Sequence, residues 1–243
     1  VSKQPHICVD KTQVAPRVIV CGEPNRANRI ASLLEQAELV AENREYRVFT
    51  GTYKGQPVSI CSTGIGSPSM IIAVEELKQC DVTHIVRVGS AGAMQEGIQL
   101  GELIVAEAAV RDEGGSKSYV EPSFPAYASF ELLASFERFL NNQRVTYHRG
   151  VVRSHDSFYT DDEERICQYW NSKGVLGADM ETSALFTVGR LRGIETASIL
   201  NNVVLYQQDV KEGVGQYVDA ELDMMDGEKL ASIAALEALM TRN

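Results

Sequence analysis

The sequence predicts an α/β fold, a single domain over residues 1–243 with a mixed, largely buried central sheet flanked by helices. Three observations carry that expectation. Short apolar runs ending in glycine, Arg17-Val-Ile-Val-Cys-Gly22 and His84-Ile-Val-Arg-Val-Gly89, read as strands buried on both faces. Stretches with helical spacing lie between the strands, and such alternation is the pattern of a layered α/β domain. At 243 residues with 44% apolar side chains, the chain can bury roughly 70–75% of its unfolded surface and needs no disulfide or metal staple.

The elements follow in order. Behind the Arg17–Gly22 strand, Pro24 in a first turn suits the start of a helix whose periodic part is Ala27–Leu34. Residues 45–61 alternate through Tyr46, Val48 and Thr50, turn at Lys54-Gly55 and resume at Val58, a hairpin signature. Gly64-Ile-Gly-Ser-Pro-Ser69 leads into a helix over Met70–Cys80. His84–Gly89 and Glu102–Ala106 are buried strands, Leu132–Asn142 a helix, and Gln143–Val152 a return to strand. Thr160–Ser172 reads as a polar helix and Met180–Arg192 as an amphipathic one closed by Gly193. Thr196–Leu200 is another strand, and Glu228–Met240 a final helix rich in alanine and leucine. Residues 112–129 and 206–226 are left as long loops, the second with six acids against Lys211 alone. Ordered loops of such length tend to be functional.

Composition excludes several classes. With 23 basic against 33 acidic side chains the formal charge is −10, which repels polyanions and argues against a nucleic-acid partner. The apolar runs are too short to span a bilayer, and the opening Val-Ser-Lys-Gln-Pro-His has no hydrophobic signal core. The expectation is a cytoplasmic protein with no membrane partner. Cys8, Cys21, Cys61, Cys80 and Cys167 form an odd set without C-x-x-C spacing, which fits reduced thiols and no structural zinc. A nucleophilic cysteine stays open at this stage.

Standard nucleotide fingerprints are absent, as are H-E-x-x-H and G-x-S-x-G. What remains is a set of glycine-rich strand ends with arginines nearby, the place where α/β sheets bind ligands and the side chain whose fork fits phosphate. In Gly22-Glu-Pro-Asn-Arg26 the glycine exposes backbone and Arg26 stands one turn later; the alternative is a surface arginine capping a helix. Arg87 lies inside an apolar strand and must find a partner there. That partner is either an acidic side chain in a structural ion pair or an anion held with Ser90 and the amides of Gly89-Ser-Ala-Gly92. Asp179-Met-Glu181 opens a helix with carboxylates, which favours the helix dipole whether or not they also serve a site.

Six segments together resemble the hexameric nucleoside phosphorylase family, which contains bacterial purine nucleoside phosphorylases and uridine phosphorylases. They are Gly22-Glu-Pro-Asn-Arg26, Asn43-Arg-Glu-Tyr46, Ser62-Thr-Gly-Ile-Gly66, Arg87-Val-Gly-Ser-Ala-Gly92, Asp156-Ser-Phe-Tyr159 and Asp179-Met-Glu181, in the family's order over nearly the whole chain. The resemblance implies phosphate-dependent cleavage of a nucleoside N-glycosidic bond, giving a pentose 1-phosphate and free base. It implies that Gly22, Arg26, Arg87 and Ser90 bind phosphate, joined by Arg44 of a neighbouring subunit. Met180 and Glu181 would hold the ribose, His6 would reach the 5′-hydroxyl of a neighbour's substrate, and Phe158 would lie against the base. Arg87 and Glu181 would be the catalytic pair. Nucleoside and inorganic phosphate are the implied partners, in a homo-oligomer of dimers arranged as a hexamer. No metal or cofactor is implied, phosphate being a co-substrate.

Departures from the family pattern point to the base. Gly-Asp-Pro becomes Gly22-Glu23-Pro24, and the first carboxylate of Glu-Met-Glu is Asp179. Purine-cleaving members carry an aspartate after the strand that follows this helix; here the position falls on Val203 or Val204, with Asn201 and Asn202 beside it. No general acid for purine N7 stands there, which favours a pyrimidine, uridine, over a purine. The usual uracil-reading insertion is also missing, and Arg165, Gln168, Gln207, Gln208 or Asp209 are the candidates to contact the base. A purine nucleoside phosphorylase, a nucleosidase and a catalytically weak nucleoside-binding relative are the alternatives.

Overall fold

A computed structural model describes residues 2–207 and 220–240. Its centre is one ten-stranded sheet. The first strand, β1 (Arg17–Cys21), pairs in parallel with β4 (Gln56–Ser62) on one side and β5 (His84–Ala93) on the other. From β4 the sheet continues through β3 (Tyr46–Tyr53) to an edge strand, β2 (Glu35–Asn43), both pairings antiparallel. On the other side β5 carries the short β9 (Gly177–Asp179), then β8 (Tyr147–His155), β6 (Leu103–Asp112) and β10 (Glu195–Val204). Because β10 also pairs in parallel with β5, these five strands close on themselves. The two-residue β7 (Ala126–Tyr127) adds to β6. The fold is thus the mixed, helix-flanked sheet expected from the sequence.

Alternation along the strands builds two cores. Val18 and Val20 face one side, packed with Met70, Leu77, Leu185 and Phe186 from α2 (Ser67–Gln79) and α5 (Thr182–Leu191). Ile19 and Cys21 face the other, packed with residues of α1 (Pro24–Ala31), α3 (Phe130–Gln143) and α6 (Ala220–Leu239). The polar α4 (Glu163–Asn171) buries none of its residues. No helix among the described residues is long and apolar enough to cross a membrane.

Several boundaries differ from the sequence reading, each for a physical reason. The first helix starts at Pro24 and stops at Ala31, because residues 32 and 33 turn the chain toward β2. Arg144 takes a left-handed φ of 56° and ends α3, so β8 begins only at Tyr147 instead of Gln143. The last third of the second long loop is helix: α6 begins at Ala220, eight residues before Glu228, and runs through Gly227. A Cβ at Gly227 would collide with the Gly101 carbonyl oxygen and Asn201 Oδ1. The glycine is a packing notch inside a helix. The first long loop is held from within by Arg111, whose guanidinium donates to Ser116 Oγ and to the carbonyls of Ser116, Val120, Glu121 and Phe124.

Candidate active site

Parallel pairing puts the C-terminal ends of β1, β4, β5 and β10 on one rim, and this rim gathers most of the residues singled out above. Gly22 follows β1 directly, and its carbonyl accepts the Gly64 amide at 2.9 Å. One turn into α1, Arg26 turns back over the rim. Its Nη2 donates to Ser90 Oγ at 2.7 Å, its Nη1 reaches the Val88 carbonyl at 3.4 Å, and its Nε pairs with Glu228 at 2.8 Å. The side chain is only 12% exposed, so it is not the surface helix cap of the alternative reading.

Arg87 takes the ion-pair side of the other alternative and keeps one donor free of it. The buried guanidinium donates from Nε to Asp179 at 3.1 Å and from Nη2 to Glu181 at 2.7 Å. Its Nη1 is buried and finds no hydrogen-bond partner, although an unpaired donor of this kind costs on the order of 1–3 kcal/mol. Arg87 is therefore an ion-pair centre with one N–H edge left to give. Burial works against its charge, but Glu181 and Asp179 more than reverse that and hold it protonated above its usual range. Gly89 makes the room: a Cβ there would stand 2.5 Å from Arg87 Nη2 and 2.8 Å from Leu200 Cδ2.

The two carboxylates are themselves fixed. Asp179 has no side-chain exposure; it accepts from Ser154 Oγ at 2.6 Å, from Thr182 Oγ1 at 2.5 Å and from the Thr182 amide. Helix capping and arginine pairing are thus two roles of one side chain. Glu181 is the N-cap residue of α5 and accepts the Gly66 amide at 2.8 Å, and the Met180 amide donates to its other oxygen. A carboxylate oxygen has room for more than one donor, so Glu181 can still accept a hydroxyl.

Register brings the asparagine-valine stretch to the same rim. Asn201 lies opposite Ser90, Asn202 opposite Ala91, and Val204 opposite Gly92 across a register shift. Asn201 and Asn202 are buried and donate to the backbone of Met224 and of Ile98 and Gln99. Val203 and Val204 are half-buried and apolar. Phe158 follows β8, whose Ser154 pairs with Asp179. It is 49% exposed and packs edge-on against Tyr159. Asp156 anchors this turn by accepting from the Gly114 amide at 2.7 Å and from Ser67 Oγ.

Two residues stand apart from this cluster but beside each other. Arg44 is exposed in the β2–β3 turn, with φ at 54°. The adjacent Asn43 side chain donates to the His6 carbonyl at 2.8 Å. The His6 ring bonds through Nδ1 to Glu76 at 2.6 Å, and Glu76 also accepts the His6 and Ile7 amides. Neither Arg44 nor His6 hydrogen-bonds to Arg26, Ser90, Arg87 or Glu181. Among the base candidates, Arg165 ion-pairs with Asp162 and Gln168 bonds to Glu164, both exposed on α4. Gln207 is exposed, and Gln208 and Asp209 lie outside the described residues.

Four of the five thiols carry no sign of a nucleophile. Cys21, Cys61, Cys80 and Cys167 are all pushed above the ordinary thiol range, chiefly by burial, Cys21 and Cys167 up to about 12. An activated cysteine needs the opposite shift.

Ser154 and Glu228 carry no mark in the sequence. Ser154 Oγ donates to Asp179 and Glu228 accepts from Arg26 and Arg29, and no spacing pattern marks contacts between distant elements.

Comparison with known proteins places the chain in a family. The sequence profile of the phosphorylase superfamily matches residues 16–203. A crystal structure of uridine phosphorylase from Vibrio fischeri superposes with a TM-score of 0.95 at 69% identity, covering 100% of this chain and 99% of that one. A uridine phosphorylase from Thermococcus kodakarensis is 36% identical over 97% of this chain and 85% of its own. A guanosine phosphorylase from Halorubrum lacusprofundi is 37% identical over 82% of each.

Proposed function

The chain belongs to the phosphorylase superfamily, and on that footing we propose that it cleaves uridine with inorganic phosphate, giving ribose 1-phosphate and uracil. The observation that carries this reading is the buried Arg87, clamped by Asp179 and Glu181 with Nη1 unpaired. On this reading a polyvalent anion takes that edge together with Arg26 and the Ser90 hydroxyl. Ser90 Oγ accepts from Arg26 and so keeps its own proton to donate. In a chain of net charge −10 this is a local reversal of the global field.

The chemistry follows from the arrangement. Cleavage of an N-glycosidic bond develops positive charge on the sugar, as in glycoside hydrolysis. Phosphate held at Gly22, Arg26, Arg87 and Ser90 lies where that charge can be met, and Met180 and Glu181 hold the ribose above it. The contact of Glu181 with Arg87 couples the two substrates, so their relative position is set by one ion pair. Such positioning can supply a large part of the barrier reduction. The reaction needs no cofactor beyond phosphate. The whole chain acts as one such domain; its five free cysteines suit a reducing cytoplasm, and dimers assembled as a hexamer complete the site.

The apolar Val203 and Val204 at the rim favour uridine, which has no N7 to protonate. The likeness to a uridine phosphorylase at 69% identity supports the same base. At saturating phosphate, uridine is expected to exceed inosine in kcat/KM by on the order of 10²-fold, the lower range of one positioned acid. Inosine or guanosine cleaved as well as uridine overturns the choice of base and favours the purine reading, to which the guanosine phosphorylase relative lends support. Cleavage that ignores phosphate would make the protein a nucleosidase.

A further inference from the structure

We propose that Glu228 is a positioning residue for phosphate, acting through Arg26 and nowhere touching substrate. The inference rests on the phosphate site proposed above and extends it to α6. Glu228 is 14% exposed in its side chain and belongs to neither strand end nor glycine loop. Its Oε2 takes Arg26 Nε at 2.8 Å and Arg29 Nη2 at 3.0 Å, while its Oε1 takes Arg29 Nε at 2.6 Å. Arg29 is tied in turn to Glu23 at 3.2 Å. A chain Glu23–Arg29–Glu228–Arg26–Ser90 therefore runs from the first residues after β1, across α6 and back to β5.

A carboxylate next to an anion-binding arginine is a paradox on charge alone. It lowers the local potential and should weaken phosphate binding. Geometry resolves it. Arg26 carries five N–H donors, and Glu228 occupies Nε, the donor nearest the stem. That contact fixes the plane of the guanidinium, so Nη2 falls on Ser90 and Nη1 near the Val88 carbonyl. An arginine loses much rotamer entropy when ordered, and Glu228 bears that cost before phosphate arrives. The second cation, Arg29, balances the extra negative charge. Burial opposes ionisation of Glu228, but hydrogen bonds and charge from Arg29 and Arg26 outweigh it and keep the carboxylate below its usual range.

Positioning and simple charge make opposite predictions. If Glu228 positions Arg26, Glu228→Ala raises the KM for phosphate about ten-fold, the scale of one charge-assisted hydrogen bond, and leaves the KM for uridine within about two-fold. Glu228→Gln keeps one acceptor oxygen, which can stay on Arg26 Nε while the amide nitrogen gives up the Arg29 Nε bond, and its KM for phosphate moves by less than about three-fold. In an Arg26→Ala background, Glu228→Ala then adds nothing further. A lower KM for phosphate in either variant means that Glu228 only opposes the anion, and overturns the proposal. So does an unchanged KM in Glu228→Ala, or a full additional loss in the Arg26→Ala background. Should Glu228→Ala fail to fold, Glu228→Asp withdraws the carboxylate by one methylene and is held to the same ten-fold rise. A wild-type enzyme indifferent to phosphate overturns the underlying functional reading instead, whereas phosphate dependence with unmoved variants overturns this proposal alone.

Discussion

At the scale of single residues, Arg87 has an ion pair that its contacts show and a phosphate role that is proposed for it, and one substitution should separate the two. Arg87→Ala leaves Asp179 and Glu181 as buried carboxylates without their cation, and uncompensated buried charge costs about 3–5 kcal/mol. The same change removes the Nη1 edge and is expected to lower kcat/KM for phosphate by on the order of 10²-fold or more. Chemical denaturation and phosphorolysis at varied phosphate read the two effects on one sample. Full turnover at ordinary phosphate would remove Arg87 from the anion site, and unchanged stability would dismiss the ion pair. The sequence exposed the problem here but not its solution. A cation inside Ile85-Val-Arg-Val88 had to be paired, yet its acids come from a segment 92 and 94 residues away. Only the pairing of β5 with β9 brings them near.

At the scale of elements, legibility tracked burial. β1, β4 and β5 are apolar and enclosed, and their periodic runs stood out. β2 was missed because it is an edge strand: Glu35, Gln36, Ala37, Glu38 and Leu39 are all exposed and its ladder with β3 shifts twice. Backbone pairing holds it, and backbone pairing leaves no hydrophobic pattern. β7 and β9 have two and three residues, too few for any period to show. The loop between β6 and β7 has its own internal fastener. Arg111 is buried and takes four backbone carbonyls. Arg111→Ala is expected to cost on the order of 1–3 kcal/mol, the scale for buried acceptors left unmade. The loss should be local, with amides of residues 113–125 exchanging faster while the β1 and β5 amides keep their protection. Uniform loosening measured by hydrogen exchange would mean that the loop is no separate unit.

At the scale of the whole molecule, one chain does not bring together all the residues proposed for the site. Arg26, Arg87, Ser90 and Glu181 share a rim, while Arg44 and His6 share a different patch, joined through Asn43. Glu76 fixes His6 by its amide and by Nδ1, on a side chain that is 39% exposed; the proposed role of His6 at a neighbour's site would use the remaining Nε2. A two-fold dimer would present each patch to the other subunit's rim, since an isologous contact is reciprocal. That geometry has a consequence no single-chain site shares. An Arg44→Ala subunit supplies an intact rim and a broken patch, and a Glu181→Ala subunit supplies the reverse. In a mixed dimer one site combines both intact halves and the other combines both defects. Each homodimer should be nearly inactive, and co-refolded or co-expressed mixed dimers should regain about half the wild-type turnover. Mixed dimers verified by differential tags that stay inactive would place Arg44 outside the neighbour's site. Activity in the Arg44→Ala homodimer equal to wild type would do the same, leaving the anion to Arg26 and Arg87 alone.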